Sequence, residues 1–264
     1  MMIEILAFAA VGILAGFSSG LLGIGGGVIT VPCLVLILTA LGFPKSGVMH
    51  VAVGTSLAAM VFNTLSASYT HYIKKGVLFS IVKPMFLGAV FGAIIGATVA
   101  SFLSSHFLKL LFASFEIILG LRFLLPQKRV KKERALPSFW ILSGISTCVT
   151  AISTVLGIGG GMINVPILTH FGLPIKKAIG TSSALSFLIS FWGAISFLIL
   201  GIHASNAPHS IGFLYIPAFL SISIVSFLVA PLGAHLAHHL HGKILQKIFG
   251  AVLIATGLIM MLKG

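Results

Sequence analysis

The 264-residue chain contains no aspartate, and its three acidic side chains are Glu4, Glu116 and Glu133. Charged residues of both signs make up only 7%, against roughly 25% in a soluble domain. Without paired carboxylates, neither acid–base hydrolysis nor carboxylate-bound metal chemistry has side chains to work with. Cysteine is as scarce. Cys33 and Cys148 fall inside apolar segments without metal-ligand spacing, so they read as buried free thiols packing as small apolar residues. The N-terminus, Met1-Met2-Ile3-Glu4, lacks the basic stretch of a cleavable signal. Serine and histidine are present, but none pairs at the spacing of a nucleophile and its base, which disfavours an intramembrane enzyme. Nothing in the chain calls for a cofactor.

What the chain does have is apolar length. Hydrophobic residues make up 58%. From Ala178 to Gly242, 65 residues, there is no Lys, Arg, Asp or Glu, room for two or three bilayer crossings at about 20 residues each. Apolar segments run over 3–21, 27–41, 47–73, 77–104, 107–125, 138–155, 161–171, 178–200, 211–240 and 244–262. The expected fold is an all-α polytopic membrane protein of about eight to ten helices, some of them short or re-entrant. The net charge of +13 would suggest nucleic acid in a soluble protein. Here the basic residues sit at the ends of apolar segments, where they face lipid headgroups, and no basic–aromatic strip exists for nucleic acid.

The only strongly polar stretch, 126–137, is a basic linker with a proline at each end. It divides the chain into transmembrane halves, 1–125 and 138–264, and the halves repeat each other. Leu22-Gly-Ile-Gly-Gly-Gly-Val-Ile-Thr-Val-Pro32 returns as Leu156-Gly-Ile-Gly-Gly-Gly-Met-Ile-Asn-Val-Pro166. Gly42-Phe43-Pro44 returns as Gly172-Leu173-Pro174, and Gly54-Thr55-Ser56 as Gly180-Thr181-Ser182. The offset is 134 residues at the glycines and 126 at Gly-Thr-Ser.

Charge suggests how the halves are oriented. If the first two segments of each half form a hairpin or two crossings, each half crosses an odd number of times and the second is inverted. Thirteen basic residues then share one side against Lys45, Lys109 and Lys263. If those segments form one broken crossing, the halves run parallel and the split is ten to six. The positive-inside rule favours the inverted arrangement, with the linker cytoplasmic and both termini outside. A single helix over 3–41 would also be about 58 Å long, twice the bilayer core of about 30 Å.

Glycine breaks at matching places in two halves point to a transporter's binding site. A glycine loop running into a helix start offers free backbone N–H groups and the positive end of the helix dipole to an anion. On this reading Gly25, Gly26 and Gly27 face Gly159, Gly160 and Gly161, with Thr30 and Asn164 adding one polar side chain each. Gly12, Gly16 and Gly20, and Gly88, Gly92 and Gly96, fit close helix packing instead. The motif is neither a dinucleotide fingerprint, since Val28 and Met162 stand at the third glycine position, nor a P-loop, since no Lys follows. Thr55, Ser56, Thr181 and Ser182 either donate to the substrate or bond helix carbonyls one turn back. Glu116 is the one acidic residue inside an apolar segment. It is either a proton carrier for coupling or half of a structural ion pair with Lys109, two turns earlier; Leu253 stands at its counterpart. His235, His238, His239 and His241 cluster where a helix should end, and without an acidic partner they suit a solvated interface better than a metal.

With the paired glycine motifs, Val51-Ala-Val-Gly-Thr-Ser56 and Ala178-Ile-Gly-Thr-Ser-Ser183 in view, the chain resembles the TauE/SafE family of sulfite-exporter-like membrane permeases over essentially its whole length. The resemblance implies secondary transport of a small anion such as sulfite, a sulfonate or sulfoacetate across a bacterial cytoplasmic (inner) membrane. The glycine breaks themselves suggest alternating access around the two helix starts, with a proton, through Glu116, as the candidate coupling ion. A passive anion channel is the rival reading.

Overall fold

The computed structural model describes residues 2–125, 136–202, 209–237 and 242–262, and for 242–248 the backbone alone. Linker residues 126–135 and His238, His239 and His241 lie outside the described residues. The first half holds α1 (Met2–Leu22), α2 (Gly27–Ala40), α3 (Val48–Ile73), α4 (Phe79–Phe102) and α5 (Ser105–Leu124). The second holds α6 (Phe139–Leu156), α7 (Gly161–His170), α8 (Ile175–Gly201), a short antiparallel hairpin of β1 (Ser210–Ile211) and β2 (Leu214–Tyr215), then α9 (Ile216–Ala237) and α10 (Gly242–Leu262). The protein is an all-α polytopic membrane protein. Among the described residues six helices, α1, α3, α4, α6, α8 and α9, are long and apolar enough to cross a bilayer.

Glycine and proline punctuate the helices. α1 stops where Gly23 turns to φ +67°, and α6 stops at Gly157 with φ +70°. α2 has 14 residues and α7 has 10, about 21 and 15 Å, too short for a bilayer core of about 30 Å. Pro32 and Pro166 stand in equivalent places inside these short helices, each removing one backbone N–H donor.

The contact registers give the helix directions. Along α1 and α9, Gly12 lies against Ile222, Gly16 against Ser226 and Gly20 against Ala230, so the two run parallel. Along α4 and α6, Gly88 meets Ser143, Gly92 meets Thr147 and Gly96 meets Ala151, again parallel. These are the two spaced-glycine stripes, and both serve close helix packing. A Cβ on Gly16 would stand 2.5 Å from the Ser226 carbonyl oxygen. α3 and α8 cross antiparallel at the centre, Leu57 against Gly193 and Thr64 Oγ1 3.3 Å from Ser190 Oγ. α3 runs with α9, since Thr55 bonds Tyr215 and Ser66 bonds Phe227. α4 runs with α8, since Leu78 bonds Thr181 and Phe86 packs on Trp192. α1 and α6, the first helices of the two halves, therefore point in opposite directions.

Two details depart from the sequence reading. The apolar segment from 211 opens as a hairpin, turned by Gly212 at φ +58°, and helix starts only at Ile216. Cys148, expected inside, is exposed on α6, because an outer helix face in a bilayer is itself apolar, while Cys33 is half-buried.

Candidate functional site at the crossing glycine loops

The two glycine motifs meet at the centre of the fold, backbone against backbone. A Cβ on Gly25 would lie 2.8 Å from Gly159 Cα, and one on Gly159 would lie 2.9 Å from Gly25 Cα. One on Gly27 would strike the Gly157 carbonyl oxygen, and one on Gly161 the Gly23 carbonyl oxygen. The contacts are reciprocal, each helix start lodging under a carbonyl of the other motif. Gly26 and Gly160 form the N-caps of α2 and α7 in left-handed conformation, φ 80° and 68°, which only glycine adopts cheaply. Neither cap has a side chain bonded to the helix start. The first-turn N–H groups that no intrahelical carbonyl reaches are thus left to the surroundings.

The Gly-Thr-Ser pairs frame these loops. The Ser56 hydroxyl donates to Gly157 O at 3.0 Å, and those of Ser182 and Ser186 donate to Gly23 O at 3.2 and 3.3 Å. Thr55 Oγ1 accepts from the Tyr215 N–H at 2.9 Å, and Thr181 Oγ1 from the Leu78 N–H at 3.0 Å. Gly54 and Gly180, just before them, let the hairpin and the α3–α4 turn approach. A Cβ at either would stand 2.5 Å from a carbonyl oxygen, of Phe213 and of Gly76 respectively.

The polar side chains at the motifs differ between halves. Thr30 is buried and returns its hydroxyl to Gly26 O at 3.1 Å. Asn164, in the equivalent place, is 1% exposed, and among the described residues neither its amide oxygen nor its nitrogen has a hydrogen-bond partner. The Ser19 hydroxyl donates to Asn63 Oδ1 at 3.2 Å; among the described residues Asn63 Nδ2 has no partner, and neither does the buried Ser153 hydroxyl, which is equivalent to that of Ser19. Ser19, Asn63 and Ser153 were not singled out by the sequence. Their signal would have been a polar residue at matching offsets beside each motif.

Glu116 is buried in α5 against α10, its Cβ 3.3 Å from where a Cβ on Gly257 would be. Among the described residues neither carboxylate oxygen has a hydrogen-bond partner, and no ion pair joins it to Lys109. His235 lines a groove of about 590 Å³ between α3 and α9, whose other walls include Tyr69, Lys74 and Phe227.

The family description "Sulfite exporter TauE/SafE" matches residues 8–260. The chain belongs to the TauE/SafE family. This TauE/SafE protein is 34% identical to a probable membrane transporter protein of Haemophilus influenzae, the match covering 98% of each chain. It is 30% identical to one of Methanocaldococcus jannaschii, over 96% of this chain and 93% of the relative. A third, from Bacillus subtilis, is 28% identical over 93% of both. These relatives are named as transporters, not as enzymes. No solved structure matches.

Proposed function

We propose that this TauE/SafE protein is a secondary transporter of a small sulfur-containing or organic anion. The anion is held between the starts of α2 and α7 and exposed alternately to the two sides of a bacterial cytoplasmic membrane. The observation that carries this reading is the meeting of two uncapped helix starts at the centre of the fold. Such starts bind an anion through backbone N–H groups and helix dipoles without a basic side chain. Gly25, Gly26, Gly27, Gly159, Gly160, Gly161, Thr30 and Asn164 are the proposed lining. Thr55, Ser56, Thr181 and Ser182 are proposed as its frame, since each hydroxyl already bonds backbone.

On this reading the halves are inverted repeats that rock about the glycine crossing. The opposite directions of α1 and α6 support it, as does the reciprocity of the backbone contacts. The excess of basic residues supports a cytoplasmic position for linker 126–137. Glu116 is the proposed proton carrier, because its buried carboxylate lacks the ion pair that would give it a purely structural reason.

The test is counterflow in proteoliposomes. Vesicles loaded with unlabelled sulfite should transiently concentrate radiolabelled sulfite above equilibrium. Flux without that overshoot would establish a channel. A thermal-shift panel of sulfite, thiosulfate, sulfonates and small carboxylates checks the substrate class, and a flat response across the panel would remove the anion assignment.

A further inference from the structure

We infer that the anion site is one-sided. It lies at the second glycine motif, bounded by Gly160, Ser153 and Asn164, and takes a singly charged oxyanion that still carries a proton. The inference rests on the anion-carrier reading above and adds which half binds and in what protonation state the ligand binds.

Equivalent positions beside the two motifs differ in how their polar groups are paired. In the first half the hydroxyls beside the motif are satisfied within the protein, and among the described residues there only the Asn63 Nδ2 group is buried without a partner. Ser19 has Asn63, and Thr30 has the Gly26 carbonyl. In the second half the position equivalent to Asn63 is Ile189, so Ser153 loses its acceptor. Asparagine replaces threonine at 164, and its amide makes no bond at either end. Both side chains are at least nine-tenths buried, Ser153 at 0% and Asn164 at 1% exposure. They converge on one point. A Cβ on Gly160 would stand 3.1 Å from Ser153 Oγ and 3.3 Å from Asn164 Nδ2, and would strike Ile189 Cδ1, whose flexible end fills the spot and has to swing aside to admit a ligand. Buried polar atoms without protein partners are costly, and each calls for a partner such as a water, an ion or a ligand.

The chemistry of the set narrows the ligand. Ser153 O–H, one end of the Asn164 amide and the first N–H groups of α7 donate, while the other end of the amide can only accept. A dianion offers acceptors alone and is harder to strip of water. A monoanion that retains a hydroxyl, in the manner of hydrogensulfite, satisfies both ends. A sulfonate without a hydroxyl leaves the amide oxygen unpaired.

Sulfite titrations of the purified full-length protein in detergent test this, read by calorimetry alongside unliganded melting curves. Asn164→Thr installs the residue that position 30 carries, whose hydroxyl bonds its own helix, so the variant should fold and bind sulfite about ten- to a hundredfold more weakly. Ser153→Ala, and Ile189→Asn, which supplies Ser153 with an internal partner, should weaken binding in the same direction. Ser19→Ala, at the equivalent of Ser153 and outside the proposed lining, should stay within about threefold of wild type. Wild-type affinity should fall as pH rises through the second dissociation of sulfite, and methanesulfonate should bind at least about tenfold more weakly. Equal losses in the two halves, no loss in either, or equal affinity for sulfite and methanesulfonate would overturn the one-sided site while leaving an axial anion site standing. Failure of the wild type to bind any anion of the panel would instead remove the carrier reading, and this inference with it.

Discussion

At Gly27 and Gly161 a single methyl group decides whether the loops can meet. Gly161→Ala would drive its Cβ into the Gly23 carbonyl and Ile24 Cα, backbone that cannot swing aside. It should cost more than about 3 kcal/mol, seen as loss of the monodisperse peak or a large fall in melting temperature in detergent. Gly144→Ala is the control. It lies within α6 with nothing inside 4 Å of its Cβ position, and it should stabilise by up to about 1 kcal/mol through helix propensity. Glu116→Gln keeps the size of the side chain with a polar head that cannot ionise, so it should fold about as well as the wild type. If Glu116 carries the proton, transport should stop responding to an imposed pH gradient in proteoliposomes; an unchanged response removes it as the carrier. At this scale the glycines and the Thr30/Asn164 exchange were readable, because they sit inside a repeated string. Ser153 was not. Its lack of a partner depends on Ile189, which no local pattern ties to it.

Each half contains a threonine that clamps the start of a helix from the other half. Thr55→Val would leave the Tyr215 N–H, just before α9, without its acceptor, and Thr181→Val would do the same to Leu78 before α4. Each should lower stability by about 1–3 kcal/mol, measured as a drop in melting temperature, with the double variant close to additive because the sites are separate. The Gly-Thr-Ser pairs were legible as a repeat, but their use was not, since the hydroxyls bond segments distant in sequence. Helix ends were read well where glycine and proline mark them, at 22–27 and 156–161. The hairpin before α9 was missed because Phe213, Leu214 and Tyr215 are as apolar as a helix, and only Gly212 hints at the turn.

For the whole molecule, Ser105 at the start of α5 bonds Met49 at the start of α3, and Gly120 lies against Gly250 and Gly257 against Ala113. The start of α1 and the end of α10 therefore share one face, and the end of α5, where the linker begins, lies on the other. In intact cells, single cysteines at the termini should react with an impermeant maleimide. One placed in 126–137 should react only after permeabilisation, with Cys33 and Cys148 first replaced. Labelling of the linker in intact cells would reverse the assigned orientation. Directions of this kind come from contact registers, which composition does not contain, whereas the count of basic residues was visible from the start. The reciprocal lodging of the glycine loops also constrains the order of synthesis. Gly27 rests under the carbonyl of Gly157, a residue that follows it by 130 positions. The first half therefore leaves the ribosome with its break open and waits in the membrane for a partner not yet made. The two breaks close together, and only once the second half has been inserted.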